Sequence, residues 1–214
     1  MLAGAPDRTY PGSMPWSDDA RVMAHPFQAY AELAASPEPW PRRALAARVA
    51  RILVVLAGFV SLTAAGRLVA FHVVGSMVAW SFVPAVQAAV FALVLRLLDP
   101  ARPRAALAPA LSLYFTGHGP WLIFLLLIAG VCLFSPDVYT TMMGLLRSGA
   151  LPFAMLGVIA WSMVLTYACF LRGLGFPKGR ARGATALFYA GFTVAIVGYY
   201  LSMNEIQPQA PWAP

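Results

Sequence analysis

Four stretches of this chain hold apolar residues almost without interruption, over 49–74, 78–98, 150–171 and 184–203. About 20 residues of helix cross the roughly 30 Å of bilayer hydrocarbon, so each stretch reads as a transmembrane helix. A fifth run, Trp121 to Phe134, has 14 residues and would rise only about 21 Å as a helix. Extending it back to Leu111 supplies the missing length, but then "TGHGP" (116–120) falls within the span 111–134. In one reading, Gly117 and Gly119 permit a turn and Pro120 starts a helix, so that an interfacial helix over 105–115 tips into the membrane at a corner. In the other, the third span is broken and His118 sits inside the bilayer.

The polar positions between the runs organise these five spans. Arg42, Arg43, Arg48 and Arg51 precede or open the first; Arg96, Arg102 and Arg104 lie between the second and third; Arg172, Lys178, Arg180 and Arg182 lie between the fourth and fifth. The alternate connections, "GSM" at 75–77 and the stretch 135–149, hold one basic residue, Arg147. Five crossings put the three basic regions on one side. By the positive-inside rule the N-terminus is cytoplasmic and the C-terminus outside. The expected fold class is therefore all-α: a polytopic five-helix transmembrane bundle. A Pro-rich cytoplasmic segment (1–47) precedes the transmembrane domain (48–206), and a short outside tail (207–214) follows. No charged-then-apolar leader occurs in the first 47 residues, so the first span is expected to serve as insertion signal and anchor. Within that segment "HPFQAYAELAAS" (25–36) reads as a short helix with Pro26 in its first turn. It is an interfacial or partner-docking element, a packed cap, or plain disorder.

Composition agrees with a bilayer partner. The chain is 60% hydrophobic and 11% charged, with mean hydropathy +0.71, whereas ordinary soluble domains carry about 25% charged residues. The formal charge of +7 comes from residues flanking apolar runs, which fits lipid headgroups and argues against nucleic acid. Arginine accounts for 14 of the 15 basic residues, a bias that points to a GC-rich, bacterial source and hence to the plasma (inner) membrane.

Ionisable or strongly polar groups within the runs are the candidates for function. Arg67 lies within the first run, where it either snorkels or pairs with Asp137, or else contacts an anionic headgroup or substrate in the outer leaflet. His72 reads as interfacial. Gln87 reads as an interhelical hydrogen bonder or a ligand contact, and His118 as a ligand or lipid contact if it lies within the bilayer. Pro84 should kink the second span near Trp80. Small residues at four-residue spacing (Ala57, Ser61 and Ala65; Ser81, Ala85 and Ala89) and the set Ala184, Gly191, Ala195 and Gly198 read as helix-packing stripes, with a homodimer face as the other use. Cys132 and Cys169 fall at opposite ends of their spans, too far apart for a disulfide. The residue spacing shows no metal ligand set, no catalytic constellation and no cofactor motif.

Three segments carry a family resemblance: "HPFQAYAELAA" before the first span, "ALAPALSLYFTGHGPWLIFLLLIAG" into the third and "LRGLGFPKGRARGATALFYAGF" into the fifth. With the five-span pattern, they resemble bacterial members of the Yip (Ypt-interacting protein) family over roughly residues 25–203. Gly173, Leu174, Arg182 and Ala184 fit the approach to the last helix, with Gly183 inserted. The Asp-Leu-Tyr-Gly-Pro signature of eukaryotic members is absent. The resemblance implies a membrane-organising or trafficking-associated protein without known catalysis, and carries over no functional residue.

The expected function is thus a non-enzymatic membrane organiser or adaptor with a membrane-protein partner or a homo-oligomer. The alternative is a small transporter or channel, or a subunit of one, using a broken third helix with Arg67 and His118 on its path. A third reading, a lipid-acting enzyme with His118 as base, lacks a nearby acid: the nearest in sequence is Asp99, on the cytoplasmic side.

Overall fold

The structure is a computed structural model that describes residues 15–65, 67, 68 and 70–206, with the side chains of 15–17, 64, 65, 72, 200 and 202–206 left aside. The described residues form ten α-helices and no strand: α1 (Pro15–Ala24), α2 (Pro26–Ala35), α3 (Pro41–Ala65), α4 (Ala70–Trp80), α5 (Phe82–Leu98), α6 (Leu107–Thr116), α7 (Gly119–Phe134), α8 (Val138–Arg147), α9 (Ala150–Ala168) and α10 (Lys178–Ile206). A 3₁₀ turn (Arg104–Ala106) leads into α6 and a π-helical turn (Cys169–Gly173) ends α9. The segments Pro41–Thr63, Val73–Leu98, Ala150–Gly173 and Lys178–Tyr199 are each long and apolar enough to cross a membrane. The pair Arg104–Thr116 and Gly119–Phe134, bent by 43°, passes the same test together. The described residues are therefore all-helical, with four helices long and apolar enough to cross a membrane, or five if the bent pair is one span.

Local sequence sets the helix ends. Pro26 and Pro120 occupy first turns, where a missing N–H costs nothing. Asp137 caps α8 by accepting from the Tyr139 N–H and the Thr140 hydroxyl. Gly149 adopts φ 78° between α8 and α9, a conformation that a side chain would resist. Pro84 coincides with a break at Ser81 between α4 and α5, the kink expected near Trp80.

The main core is aromatic. Phe91 of α5 stacks on Tyr114 and Phe170 at ring-centre distances of 4.7 and 5.2 Å, with Phe188 of α10 edge-on at 6.3 Å. Val22, Ala29 and Tyr30 of the two N-terminal helices belong to this same core. A second cluster at the far end joins Leu62, Ile128, Ala129 and Cys132, with Val138 and Met142 of α8 packed on it. Cys132 and Cys169 are both free and buried, in separate clusters.

The connection between the first two spans differs from the sequence expectation. Helix α4 runs through Gly75–Met77, and α3 already ends at Ala65. Small, weakly punctuating residues at 75–77 did not end a helix whose apolar run continues on both sides. The stretch 135–149 contains α8 rather than a plain connection, and α1 forms in the Pro-rich leader. The stripes divide as well. Ala57, Ser61 and Ala184 are buried, and an added Cβ at Gly191 would meet Val90 at 3.1 Å, as close helix packing requires. Ser81, Ala85 and Ala89, however, are exposed: α5 turns Pro84, Phe91, Val94 and Leu95 inward instead. These small residues face outward, and α5 meets the bundle through Phe91, Val94 and Leu95 and through Val90 against Gly191 of α10.

Candidate functional site

The two N-terminal helices do not stand apart from the membrane-crossing helices. They lie over the break between α6 and α7 and on the π-helical turn, and ion pairs tie α1 to α3. Helix α2 buries Pro26, Ala29 and Tyr30, whereas Phe27 is exposed and meets Tyr167 edge-on at 6.1 Å. Residues 26–35 are thus a helix packed on the bundle.

The break itself is filled. A Cβ added at Gly117 would lie 2.6 Å from the Tyr30 Oη, and one at Gly119 would lie 2.3 Å from the Met23 Sδ. Both distances are below any ordinary contact, so these glycines make room for side chains from α1 and α2. That corrects the reading of them as residues needed for a sharp turn: Gly117 has φ −79°, a conformation open to any residue. The bend of 43° is shallow, and α6 buries Ala110, Ser112, Tyr114, Phe115 and Thr116. His118 is buried beside the break, its Nε2 3.1 Å from the Gln87 Oε1 and its ring stacked on Phe115 at 4.9 Å. The structure thus brings together two of the sequence-selected residues, His118 and Gln87, as partners of each other.

Next to the break lies a cluster of charges. Arg48, only 3% exposed, donates to the Ser112 hydroxyl and, at 3.3 Å, to the Ser112 carbonyl. Its other terminal nitrogen pairs with Glu38 and lies 3.9 Å from the Asp18 carboxylate. Ser112 Oγ in turn donates to Glu38 at 2.8 Å. One turn along α3, Arg51 pairs with Asp19. Helix α1 and the link after α2 are therefore held to α3 and α6 by buried ions, with Ser112 bridging two of them. Burial pushes the Asp19 carboxyl up to about 6 even though Arg51 and Arg48 act to lower it, and burial likewise raises Asp18. A cleft of about 170 Å³ opens beside Arg48, walled by Leu33, Pro37, Glu38, Pro109 and Leu174.

Sequence reasoning did not reach this cluster. In the sequence Arg48 and Arg51 read only as topology signals, and Asp18, Asp19 and Glu38 fall in the Pro-rich segment 1–47 with no role assigned. One signal was available: five of the eight acidic residues (Asp7, Asp18, Asp19, Glu32 and Glu38) precede residue 39, just ahead of two arginines that enter an apolar run.

Arg67 is placed elsewhere than expected. It lies outside helices, exposed, in the connection between α3 and α4, where its carbonyl accepts from the Ser61 hydroxyl at 3.0 Å. Asp137 spends its carboxylate on the α8 cap, where the Thr140 hydroxyl and backbone N–H groups hold its pKa below the ordinary value. The proposed Arg67–Asp137 pair is not formed among the described residues. The early end of α3 removes the premise that put Arg67 deep in a span. Among the described residues no group of three or more His, Cys, Asp or Glu is arranged to hold a metal ion.

The basic connections meet at the end of the molecule that carries α1 and α2. Arg102 donates to the Leu174 carbonyl at 3.0 Å, and the guanidinium groups of Arg102 and Arg180 each lie 5.8 Å from the centre of the Phe176 ring. No protein-family model, no curated protein and no solved structure matches this chain.

Proposed function

We propose that the chain is a non-enzymatic, Yip-like integral membrane protein of five spans that organises membrane partners from its N-terminal cap. The observation that supports this reading best is the filled break: Tyr30 and Met23 occupy the space at Gly117 and Gly119. Broken helices serve transport when their freed polar groups line a site. Here the His118 Nε2 is engaged by Gln87, with its Nδ1 buried and without a hydrogen-bond partner among the described residues, and the Thr116 hydroxyl is engaged by the Ser112 carbonyl at 2.9 Å. What is left for a partner is the outer surface of the cap, which the ion pairs of Arg48 and Arg51 fix to the bundle. The meeting of the connections through Arg102, Leu174 and Arg180 supports a single basic end, hence five crossings, a cytoplasmic N-terminus and an outside C-terminus. The arginine-rich composition supports a bacterial plasma membrane.

The transport reading keeps one observation in its favour, the cleft beside Arg48. One experiment separates the two. The full chain in mild detergent should give a defined homo-oligomer or retain a specific membrane-protein partner, and a chain lacking residues 1–36 should lose it. A strictly monomeric, partnerless protein that drives vectorial flux in liposomes would overturn the proposal.

A further inference from the structure

We infer that the N-terminal helix pair is an acid-tightened latch: protonation within the carboxylate cluster at its base seats the pair more firmly over the break between α6 and α7. The geometry carries this. Three carboxylates, Asp18, Asp19 and Glu38, face two guanidinium groups, Arg48 and Arg51, leaving one formal negative charge in excess at a largely buried junction. Asp19 is the most enclosed of the three, and its Oδ1 is buried without a hydrogen-bond partner among the described residues. An ionised carboxylate oxygen in that position is costly, and a proton removes the cost without disturbing the packing of Tyr30 and Met23.

The surrounding charged and titratable groups are few. Helix α1 contributes Asp18 and Arg21; α2 contributes Glu32, which Arg21 holds at the surface, and Tyr30. Helix α3 contributes Arg48 and Arg51, the link contributes Glu38, and the break contributes His118. The docked Asp19 carboxyl, pushed up to about 6, returns to its ordinary 3.8 when the pair leaves. A group whose pKa is raised in the docked state binds its proton more tightly there, so docking strengthens as pH falls through about 6 and levels off below 3.8. Between pH 7 and pH 5 this linkage amounts to roughly a tenfold gain in the docking equilibrium.

The latch rests on the docked arrangement and not on partner binding, so either reading can fail while the other stands. The test is hydrogen–deuterium exchange of the full chain in lipid nanodiscs at pH 5 and pH 7, corrected for the intrinsic exchange rate, with the amides of α10 as fold control. The expected result is about tenfold greater protection of 15–35 at pH 5. Asp19→Asn should give high protection at both pH values, and Glu32→Gln, at the surface, should leave the response intact. Equal protection of the wild type at both pH values, a response that persists in Asp19→Asn, or one abolished by Glu32→Gln would overturn the inference.

Discussion

The Tyr30 ring occupies the space that a side chain at residue 117 would need: a Cβ there would stand 2.6 Å from the Tyr30 Oη. The break between α6 and α7 and the seating of α2 are therefore one feature of the fold. Gly117→Ala should displace Tyr30 at an overpacking cost of about 1–3 kcal/mol. Protease sensitivity of the link 36–40 should rise, and Tyr30→Phe, which removes the clashing oxygen, should restore much of the resistance in the double variant. Additive effects of the two substitutions would contradict the contact.

The ion pairs of the cap should differ sharply in weight. Arg48→Met strands Glu38 and Asp18 and should cost about 3–5 kcal/mol, as loss of one partner of a buried pair does. Arg21 and Glu32 also pair, but their side chains are 45% and 39% exposed, and Arg21→Ala should cost no more than about 1 kcal/mol. Thermal unfolding in detergent, read alongside proteolysis of the link, checks both values.

His118 and Gln87 should behave as a structural couple. Either His118→Leu or Gln87→Leu leaves a polar group unpaired in the bundle and should destabilise by about 1–3 kcal/mol. The double Leu variant should recover part of that loss. Reconstituted flux abolished by His118→Leu in a protein of unchanged stability would favour the transport reading instead.

Helix α8 makes a prediction about depth. Tyr139 and Leu146 are exposed on it, with Met143 on the same side, while Val138 and Met142 pack inward. The exposed Phe134 and Phe153 flank it on α7 and α9. Such a helix lies along the membrane interface with its apolar stripe toward the acyl chains. Nitroxides at 139 and 146, in a protein with Cys132 and Cys169 replaced by Ala, should be reached by dissolved oxygen. A nitroxide at 147 should be reached by a water-soluble nickel chelate. Equal chelate access at all three positions would place α8 in water.

The membrane-crossing helices were legible because apolar runs of about 20 residues have few alternative uses. The break at 117–118 was legible too, because glycine and proline punctuate helices locally. Its cause was not: Gly117 and Gly119 answer to Tyr30 and Met23, nearly 90 residues or more away in sequence, and no local pattern encodes such a contact. The end of α3 at Ala65 was not legible because the residues on either side are as apolar as a span, so Arg67 looked deeply embedded. The charge cluster was missed because arginines at the edge of a run look alike whether they face lipid headgroups or buried acids. Only the folding of α1 onto α3 distinguishes Arg48 and Arg51 from Arg42 and Arg43.

The central claim, that the N-terminal helices seal the break, is tested most directly by cysteine accessibility from water at Thr116→Cys and His118→Cys in the full chain in nanodiscs, again with Cys132 and Cys169 replaced. The account predicts that a charged maleimide leaves both positions unlabelled in the full chain and labels both once residues 1–36 are removed. Prompt labelling in the intact chain would show a water-filled path at the break and contradict it.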